Sequence, residues 1–219
     1  MAQIFGRSAN SIAKASMIAL AVFAGGGLFA LDQIYKSPYV RYTGVPREQP
    51  VPFSHKHHTN MGLDCRYCHT TVEDAAVAGV PPTRVCMNCH TQIFPDAPAL
   101  APVRDSWATG KPIAWTRVHD LPDFVYFNHS IHVNKGVSCK TCHGPVNQMP
   151  LMWRDKPLFM SWCIECHRDP AKFIGPREEV FNMNYVAPAN HEELGKKLVE
   201  EYHVQSENNR LLDCWICHR

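Results

Sequence analysis

Every cysteine in the sequence falls in one five-residue pattern, Cys-x-x-Cys-His. The pattern occurs at residues 65–69, 86–90, 139–143, 163–167 and 214–218, and these segments, frames 1 to 5, use all 10 cysteines. Two thiols with this spacing can add to the two vinyl groups of a haem, and the adjacent histidine can then bind the iron. The pattern therefore predicts five covalently attached haem c groups.

The attachment residues and one ligand of each iron follow directly from the frames. A disulfide framework or a redox-active dithiol could explain paired cysteines, but neither explains a histidine after every pair. The predicted attachment residues are Cys65, Cys68, Cys86, Cys89, Cys139, Cys142, Cys163, Cys166, Cys214 and Cys217. The predicted proximal ligands are His69, His90, His143, His167 and His218.

A second pattern, Phe-x-His-x-x-His, supplies candidates for the distal ligands. It begins at Phe53 and again at Phe127. Histidines three residues apart share one face of a helix, so each pair can serve two haems held side by side. The predicted distal ligands are His55, His58, His129 and His132. His57 is expected not to be a ligand, because an isoleucine takes its place in the second copy.

One haem then lacks a sixth ligand. Met149 is the first choice, because it occurs where the second copy of the pattern departs from the first. Met160 and His119 are the alternatives, although a methionine is more often a core residue than a ligand. Histidine–methionine ligation would give this haem a higher potential than the others.

The two patterns together form an internal repeat. Phe53, His55, His58, Gly62 and frame 1 recur 74 residues later, whereas the interval between frames 2 and 4 is 77. The repeat predicts a first two-haem module with its connector at residues 53–126 and a second module at 127–188. Residues 189–219 would hold a short amphipathic helix, at about 191–203, and the fifth haem site.

The N-terminal part carries an apolar run that is long enough to span a bilayer. It predicts a transmembrane anchor at residues 12–31, a cytoplasmic N-terminus at 1–11 and a linker at 32–52. A cleaved signal peptide is the alternative, but no clear small-x-small cleavage site follows Leu31. Arg7 and Lys14 place the N-terminus in the cytoplasm by the positive-inside rule, and the haem domain on the periplasmic side.

The composition limits the fold and the function. With 17 prolines and 12 glycines in 219 residues, we expect a mostly α protein with extensive irregular structure, wrapped around five haems, with one transmembrane helix. The formal charge of +2 falls below zero when the haem propionates are counted. This charge and the lack of a basic stripe argue against nucleic-acid binding.

The chain resembles the pentahaem cytochrome c subunit of bacterial alternative complex III, a quinol-oxidising respiratory complex, and its modules are similar to those of cytochrome c3 and c7. The resemblance is carried by the two Phe-x-His-x-x-His modules, by residues 121–129 and 160–168, and by the terminal Cys-x-x-Cys-His-Arg. It implies partners in a membrane complex: an iron–sulfur subunit, quinol-binding membrane subunits and a monohaem cytochrome c. It also implies onward transfer to a soluble carrier or terminal oxidase.

The residues themselves favour electron relay over catalysis, since the histidine supply can fill both axial positions of nearly every iron. The expected function is that of an electron-transfer subunit in the inner membrane, not catalytic on its own. A stand-alone quinol dehydrogenase, like the membrane-anchored tetrahaem cytochromes that feed periplasmic reductases, is the alternative. A multihaem reductase of small nitrogen or sulfur oxides would need an iron with an open axial position, which the spare histidines argue against.

Overall fold

The computed structural model describes Gly6 and residues 8–218, and the chain forms two compact units, Met1–Tyr42 and Thr43–Arg219. The described residues are mostly helical, with much irregular structure and no strand beyond two isolated bridges. The predicted fold class is confirmed in these respects. The α-helices are α1 (Ala9–Lys36), α2 (Pro38–Arg41), α3 (His55–Asn60), α4 (Cys65–Cys68), α5 (Thr83–His90), α6 (Ala101–Thr109), α7 (His129–Asn134), α8 (Cys139–His143), α9 (Met160–Arg168), α10 (His191–Glu201) and α11 (Cys214–Cys217).

Helix α1 contains the whole of the predicted anchor and extends beyond it at both ends. Its 28 residues span about 42 Å at 1.5 Å per residue, more than the hydrocarbon thickness of a bilayer. It is long and apolar enough to cross a membrane, and none of its most apolar stretch is buried. The predicted cytoplasmic segment, 1–11, falls mostly on residues outside the described part, Arg7 among them.

The predicted linker at 32–52 begins as helix. Helix α1 continues to Lys36, because the first helix-breaking signal is Ser37-Pro38, where the residue before proline takes an extended conformation. A short helix, α2, follows at once. Only the part of the linker after Tyr42 has the irregular structure that its prolines and glycine indicate.

The connector between the modules contains helix α6. Pro98 starts a 3₁₀ turn and Pro102 lies at the beginning of α6. Proline is tolerated in the first turn, where its missing N–H has no helical partner to lose. Gly110, with a φ of +69°, then ends the helix in the left-handed conformation typical of a C-terminal glycine.

Helix α10 lies where the sequence predicts a C-terminal helix, at about residues 191–203, and it ends at Glu201. Leu198 and Tyr202 are buried with Ile174, which lies after frame 4 in the second module. Gly195 faces the Ala171 carbonyl so closely that a Cβ would overlap it. Asn190 occupies the N-cap position, but its side chain accepts no capping hydrogen bond.

The protein core of the haem-binding unit is small. One cluster joins Val72, after frame 1, to Val133 on α7 and to Val180, after frame 4 in the second module. This cluster therefore packs the two modules together through three side chains far apart in sequence. Further 3₁₀ turns lie in the irregular segments, at Val146–Gln148, Pro170–Lys172, Arg177–Glu179 and Glu207–Leu212.

Candidate haem-binding site

Each of the five frames is built on a helical turn. Helices α4, α8 and α11 coincide with or lie within frames 1, 3 and 5, while α5 and α9 contain frames 2 and 4 at their C-terminal ends. Residues i and i+3 of a helix share one face, so both thiols of a frame are presented on the same side. This is the geometry that attachment to one macrocycle requires.

The two Phe-x-His-x-x-His segments form helices α3 and α7, as predicted. In each, the residue before the first histidine caps the helix: the Ser54 side chain accepts from the His57 N–H, and Asn128 accepts from the Ile131 N–H. The second histidine of each copy stacks on the preceding phenylalanine, with ring centroids 4.4 Å apart in both. The aromatic ring thereby fixes the imidazole orientation.

Each of these four helical histidines faces the histidine of a different frame. The centroids of His55 and His69 are 6.5 Å apart, and those of His58 and His90 are 6.3 Å apart. In the second module the distances are 6.3 Å for His129 with His143 and 6.1 Å for His132 with His167. The structure thus brings together four of the five predicted proximal histidines with the four predicted distal ones.

These distances fit a metal ion between each pair. An imidazole nitrogen binds a first-row metal at about 2 Å, so two imidazoles on opposite sides of one ion have centroids roughly 6 Å apart. Each frame also places two thiols beside one member of its pair. The residues present therefore fit four haems with histidine on both faces of the iron.

Backbone carbonyls orient most of these imidazoles. The Nδ1 atoms of His58 and His132 lie 2.8 and 2.7 Å from the carbonyl oxygens four residues earlier, in their own modules. An Nδ1–H that donates to a carbonyl leaves Nε2 with its lone pair free for a metal. The same contact occurs at His69 with Gly79, His90 with Ile93, His129 with Ala76, His167 with Leu211 and His218 with Phe124.

Burial keeps several imidazoles in the neutral form that binds metals. It lowers the pKa of His55 to about 4, with smaller contributions from His69 and His58. It lowers the pKa of His143 to about 3, where His119 and His129 add to the effect. Removal from water disfavours the charged imidazolium, so these side chains need not release a proton before binding a metal.

The contributions that cysteine thiols make to one another's pKa indicate which frames are neighbours in space, since like charges shift a pKa most strongly at short distance. Burial raises the pKa of Cys68, and Cys86 adds to the rise, so frames 1 and 2 are adjacent. Burial raises the pKa of Cys139 to about 12 with a contribution from Cys65, so frames 1 and 3 are adjacent.

The remaining frames continue this series. Burial raises the pKa of Cys142 to about 12, and Cys166 and Cys163 add to the rise, which joins frames 3 and 4. Burial and then Cys217 raise the pKa of Cys163, which joins frames 4 and 5. The attachment points therefore follow one another in the spatial order 2, 1, 3, 4, 5, with the second module in the middle.

The candidates for the fifth distal ligand lie in three different places. Met149 is fully buried, and its carbonyl accepts from the Lys56 N–H at the start of α3. Met160 is the first residue of α9 and is 62% exposed. His119 lies beside His143, with ring centroids 4.2 Å apart.

Sequence reasoning missed the carbonyl acceptors. Ala76, Leu211 and Phe124 orient histidines 53, 44 and 94 residues away. A backbone carbonyl is present in every residue, so no residue type marks these positions in a sequence. Only the folded chain reveals which carbonyl meets which imidazole.

Two family models match the chain. Residues 32–100 match the class III cytochrome C family, and residues 125–219 match cytochrome c7 and related cytochrome c. The fold is that of a multihaem cytochrome c. The two matches include all five frames, and they agree with the resemblance to cytochrome c3 and c7 that the modules indicate. Multihaem cytochromes of these families bind haem c covalently, so the cofactor type is confirmed.

The chain is also similar to a curated protein named as a multihaem cytochrome c subunit. The menaquinone reductase multihaem cytochrome c subunit of Nitratidesulfovibrio vulgaris (strain Hildenborough) is 35% identical over 127 residues. The aligned region covers 57% of this chain and 54% of the relative, so the chain spans about half the length of that protein.

Proposed function

We propose that this chain is a membrane-anchored pentahaem cytochrome c that relays electrons between a quinol site and a downstream cytochrome c or terminal oxidase. Helix α1 would anchor it in the bacterial inner membrane, with the haem domain in the periplasm. Its partners would be the iron–sulfur, quinol-binding and monohaem cytochrome subunits of a complex like alternative complex III. Haem c supplies reversible one-electron oxidation and reduction when it is bound.

The observation that carries the proposal is the set of four imidazole pairs. We assign His55 with His69, His58 with His90, His129 with His143 and His132 with His167 as the axial ligands of four haems. The pairs are 6.1 to 6.5 Å apart, which leaves no axial position for a substrate at these sites. An iron that keeps both ligands suits electron transfer rather than substrate chemistry.

The spatial order of the frames supports a relay. Each frame lies next to one or two others, and no described frame stands apart. Frames 2 and 5 are the two ends of this series. Burial is the main cause that lowers the pKa of His143, in frame 3 at the middle of the series, to about 3, so this imidazole is shielded from water.

The curated relative supports a quinone-linked role and raises the question of the direction of electron flow. Its name, menaquinone reductase, describes electron flow to a quinone, whereas the resemblance to alternative complex III implies flow from a quinol. Our proposal takes the second direction. The name fits a cytochrome that contacts quinone itself equally well, so a stand-alone quinol dehydrogenase is the second candidate function.

Affinity purification of the tagged full-length chain from native membranes distinguishes the two functions. The relay predicts copurification with an iron–sulfur subunit and polytopic membrane subunits, identified by mass spectrometry. It also predicts that the separated cytochrome does not oxidise a quinol analogue, although a chemical reductant reduces all of its haems. Quinol oxidation by the separated chain would establish the dehydrogenase and overturn the relay.

A further inference from the structure

The fifth frame has a proximal histidine without a facing partner among the four imidazole pairs. Nδ1 of His218 lies 3.1 Å from the Phe124 carbonyl oxygen, and this contact leaves Nε2 free for an iron in the same way as at the other frames. Helices α3 and α7 have no further histidine to offer it except His57, which is exposed. The sixth ligand must therefore come from another segment.

His119 is the one histidine of the connector, and its ring has a nitrogen available to bind an iron. Its Nε2 atom is buried and has no hydrogen-bond partner among the described residues. A buried polar atom without a partner costs free energy comparable to a lost hydrogen bond. Coordination of a metal would satisfy this atom.

His119 cannot share an iron with the ring it touches. Its centroid is 4.2 Å from that of His143, whereas ligands on opposite sides of one metal have centroids roughly 6 Å apart. His143 already faces His129 at 6.3 Å with the rings within 10° of parallel. His119 therefore lies beside the frame 3 pair and is available to a neighbouring haem.

The segment that carries His119 is attached to frame 5. Five residues after His119, the Phe124 carbonyl contacts His218, and the Tyr126 N–H donates to the Cys217 carbonyl. A turn closed by the Val125 N–H and the Pro122 carbonyl lies between His119 and these contacts. The connector thus bends next to the fifth frame, and five residues can reach from one face of a macrocycle to the other.

The backbone on both sides of His119 is held in place. The Arg154 guanidinium donates to the carbonyls of Val118 and Asp120, each at 3.2 Å. The rival methionines are placed differently: Met149 is fully buried against the start of α3, in the first module, and Met160 is mostly exposed. Neither is joined to frame 5 by a described hydrogen bond.

We propose that His119 is the distal ligand of the haem attached at frame 5, so that all five irons have two histidine ligands. This inference rests on the proposed five-haem relay, and it replaces Met149 as the sixth ligand. It also removes the expectation that one haem has the higher potential of histidine–methionine ligation.

The test compares spectra of the full-length protein and its variants in detergent. The wild type should show five low-spin bis-histidine haems by magnetic circular dichroism, with no methionine-ligation band. His119→Ala should convert one haem in five to a high-spin form that binds carbon monoxide in the reduced state. His119→Met should restore the low-spin state, add the methionine-ligation band and raise one potential. Met149→Leu and the exposed-histidine control His57→Ala should leave all five low-spin.

A variant without frame 5 identifies which haem His119 serves. Cys214→Ala with Cys217→Ala removes frame 5, and intact mass should then show four haems. Adding His119→Ala to this background should produce no high-spin signal, since the haem that His119 serves is gone. The haem count by mass tests the five-haem proposal separately from the ligand assignment.

Three results would overturn the assignment. They are a high-spin haem that persists in the four-haem background, five low-spin haems in His119→Ala, or a methionine-ligation band in the wild type that Met149→Leu abolishes. If His119→Ala does not accumulate, His119→Met carries the test. A wild-type-like spectrum and unchanged potentials in that variant would exclude ligation by this residue.

Discussion

The two copies of the histidine helix have the same internal geometry in different surroundings. In both, the phenylalanine ring meets the first histidine edge-on, at 4.9 Å in the first copy and 4.8 Å in the second. The first histidine then faces a frame histidine with the rings within 8° and 10° of parallel. The local arrangement of ligands is therefore a property of the repeated sequence.

The surroundings differ because the second module lies in the middle of the protein. Nδ1 of His129 lies 2.8 Å from the Ala76 carbonyl of the first module, whereas the equivalent His55 Nδ1 is buried without a partner among the described residues. Val133 packs in the core cluster between the modules, but its counterpart, Thr59, does not. Duplication preserved the ligands, while the packing around each copy followed its position in the fold.

The largest expected effect comes from removing the central frame. Cys139→Ala with Cys142→Ala should leave four haems by intact mass and separate frames 1 and 2 from frames 4 and 5. In membranes mixed rapidly with quinol, the four remaining haems should reduce in two kinetic groups of two. The matched control, Cys86→Ala with Cys89→Ala, removes an end frame and should leave four haems that behave as one group. Identical kinetics in both variants would contradict the order 2, 1, 3, 4, 5.

The next largest effect is expected from replacing, by alanine, the glycine that occurs at the equivalent position of each module. Gly62 and Gly136 both have positive φ, +83° and +78°, but a Cβ at Gly62 would meet nothing, whereas one at Gly136 would overlap the Gly175 carbonyl oxygen. Gly62→Ala should lower the free energy of unfolding by about 1 kcal/mol through backbone strain alone. Gly136→Ala should lower it by about 3 kcal/mol, because overpacking is added.

Denaturant unfolding of the two holo-proteins, followed by far-ultraviolet circular dichroism, measures this difference. Equal losses of stability would mean that the second module is packed no more tightly than the first around this turn. The Gly62 variant serves as the control for strain, since it changes the same residue type in the same conformation.

The smallest effect concerns the cap of frame 1. The Asp64 side chain accepts from the Arg66 N–H and side chain, and the hydrogen bond from the Arg66 guanidinium is the main cause that lowers the pKa of Asp64. The equivalent Ser138 contacts the Val180 carbonyl instead and does not cap its helix. Asp64→Ala should therefore cost about 1 kcal/mol at neutral pH, more than Ser138→Ala.

The cap should also make stability depend on pH. A carboxyl whose pKa is lowered by folding stabilises the protein above its unfolded pKa, and this contribution is lost as the pH falls through the folded pKa. The difference between wild type and Asp64→Ala should thus shrink below about pH 4. A difference that stays constant across the acid range in denaturant titrations would show that the charge of Asp64 is not involved.

Sequence patterns were most informative where chemistry depends on residue type and spacing. The frames, the histidine helices α3 and α7 and the apolar helix α1 all follow from such patterns, because covalent attachment, a shared helix face and an apolar span each demand particular side chains. Helix α6 does not follow from such a pattern, because proline usually breaks a helix, whereas Pro98 and Pro102 lie in first turns, where a helix tolerates them.

The features of the site that could not be predicted depend on contacts between segments that are distant in sequence. The sequence favoured Met149 over Met160 and His119 as the fifth distal ligand, because residue types and spacing do not show which side chain is buried next to frame 5. The buried Nε2 of His119 and its tie to frame 5 through Phe124 arise only when residues 94 apart meet. The adjacency of frames 1 and 3 likewise depends on the valine cluster, whose members are ordinary core residues in the sequence.

The contact between Phe124 and His218 has a consequence for the order of folding. It closes a loop of 94 residues, and such a closure has a low entropic cost only after the intervening chain is already compact. Helix α11 has four residues, too few to be stable alone. The fifth site should therefore form last and open first, so that its amides exchange with solvent before those of the other four frames.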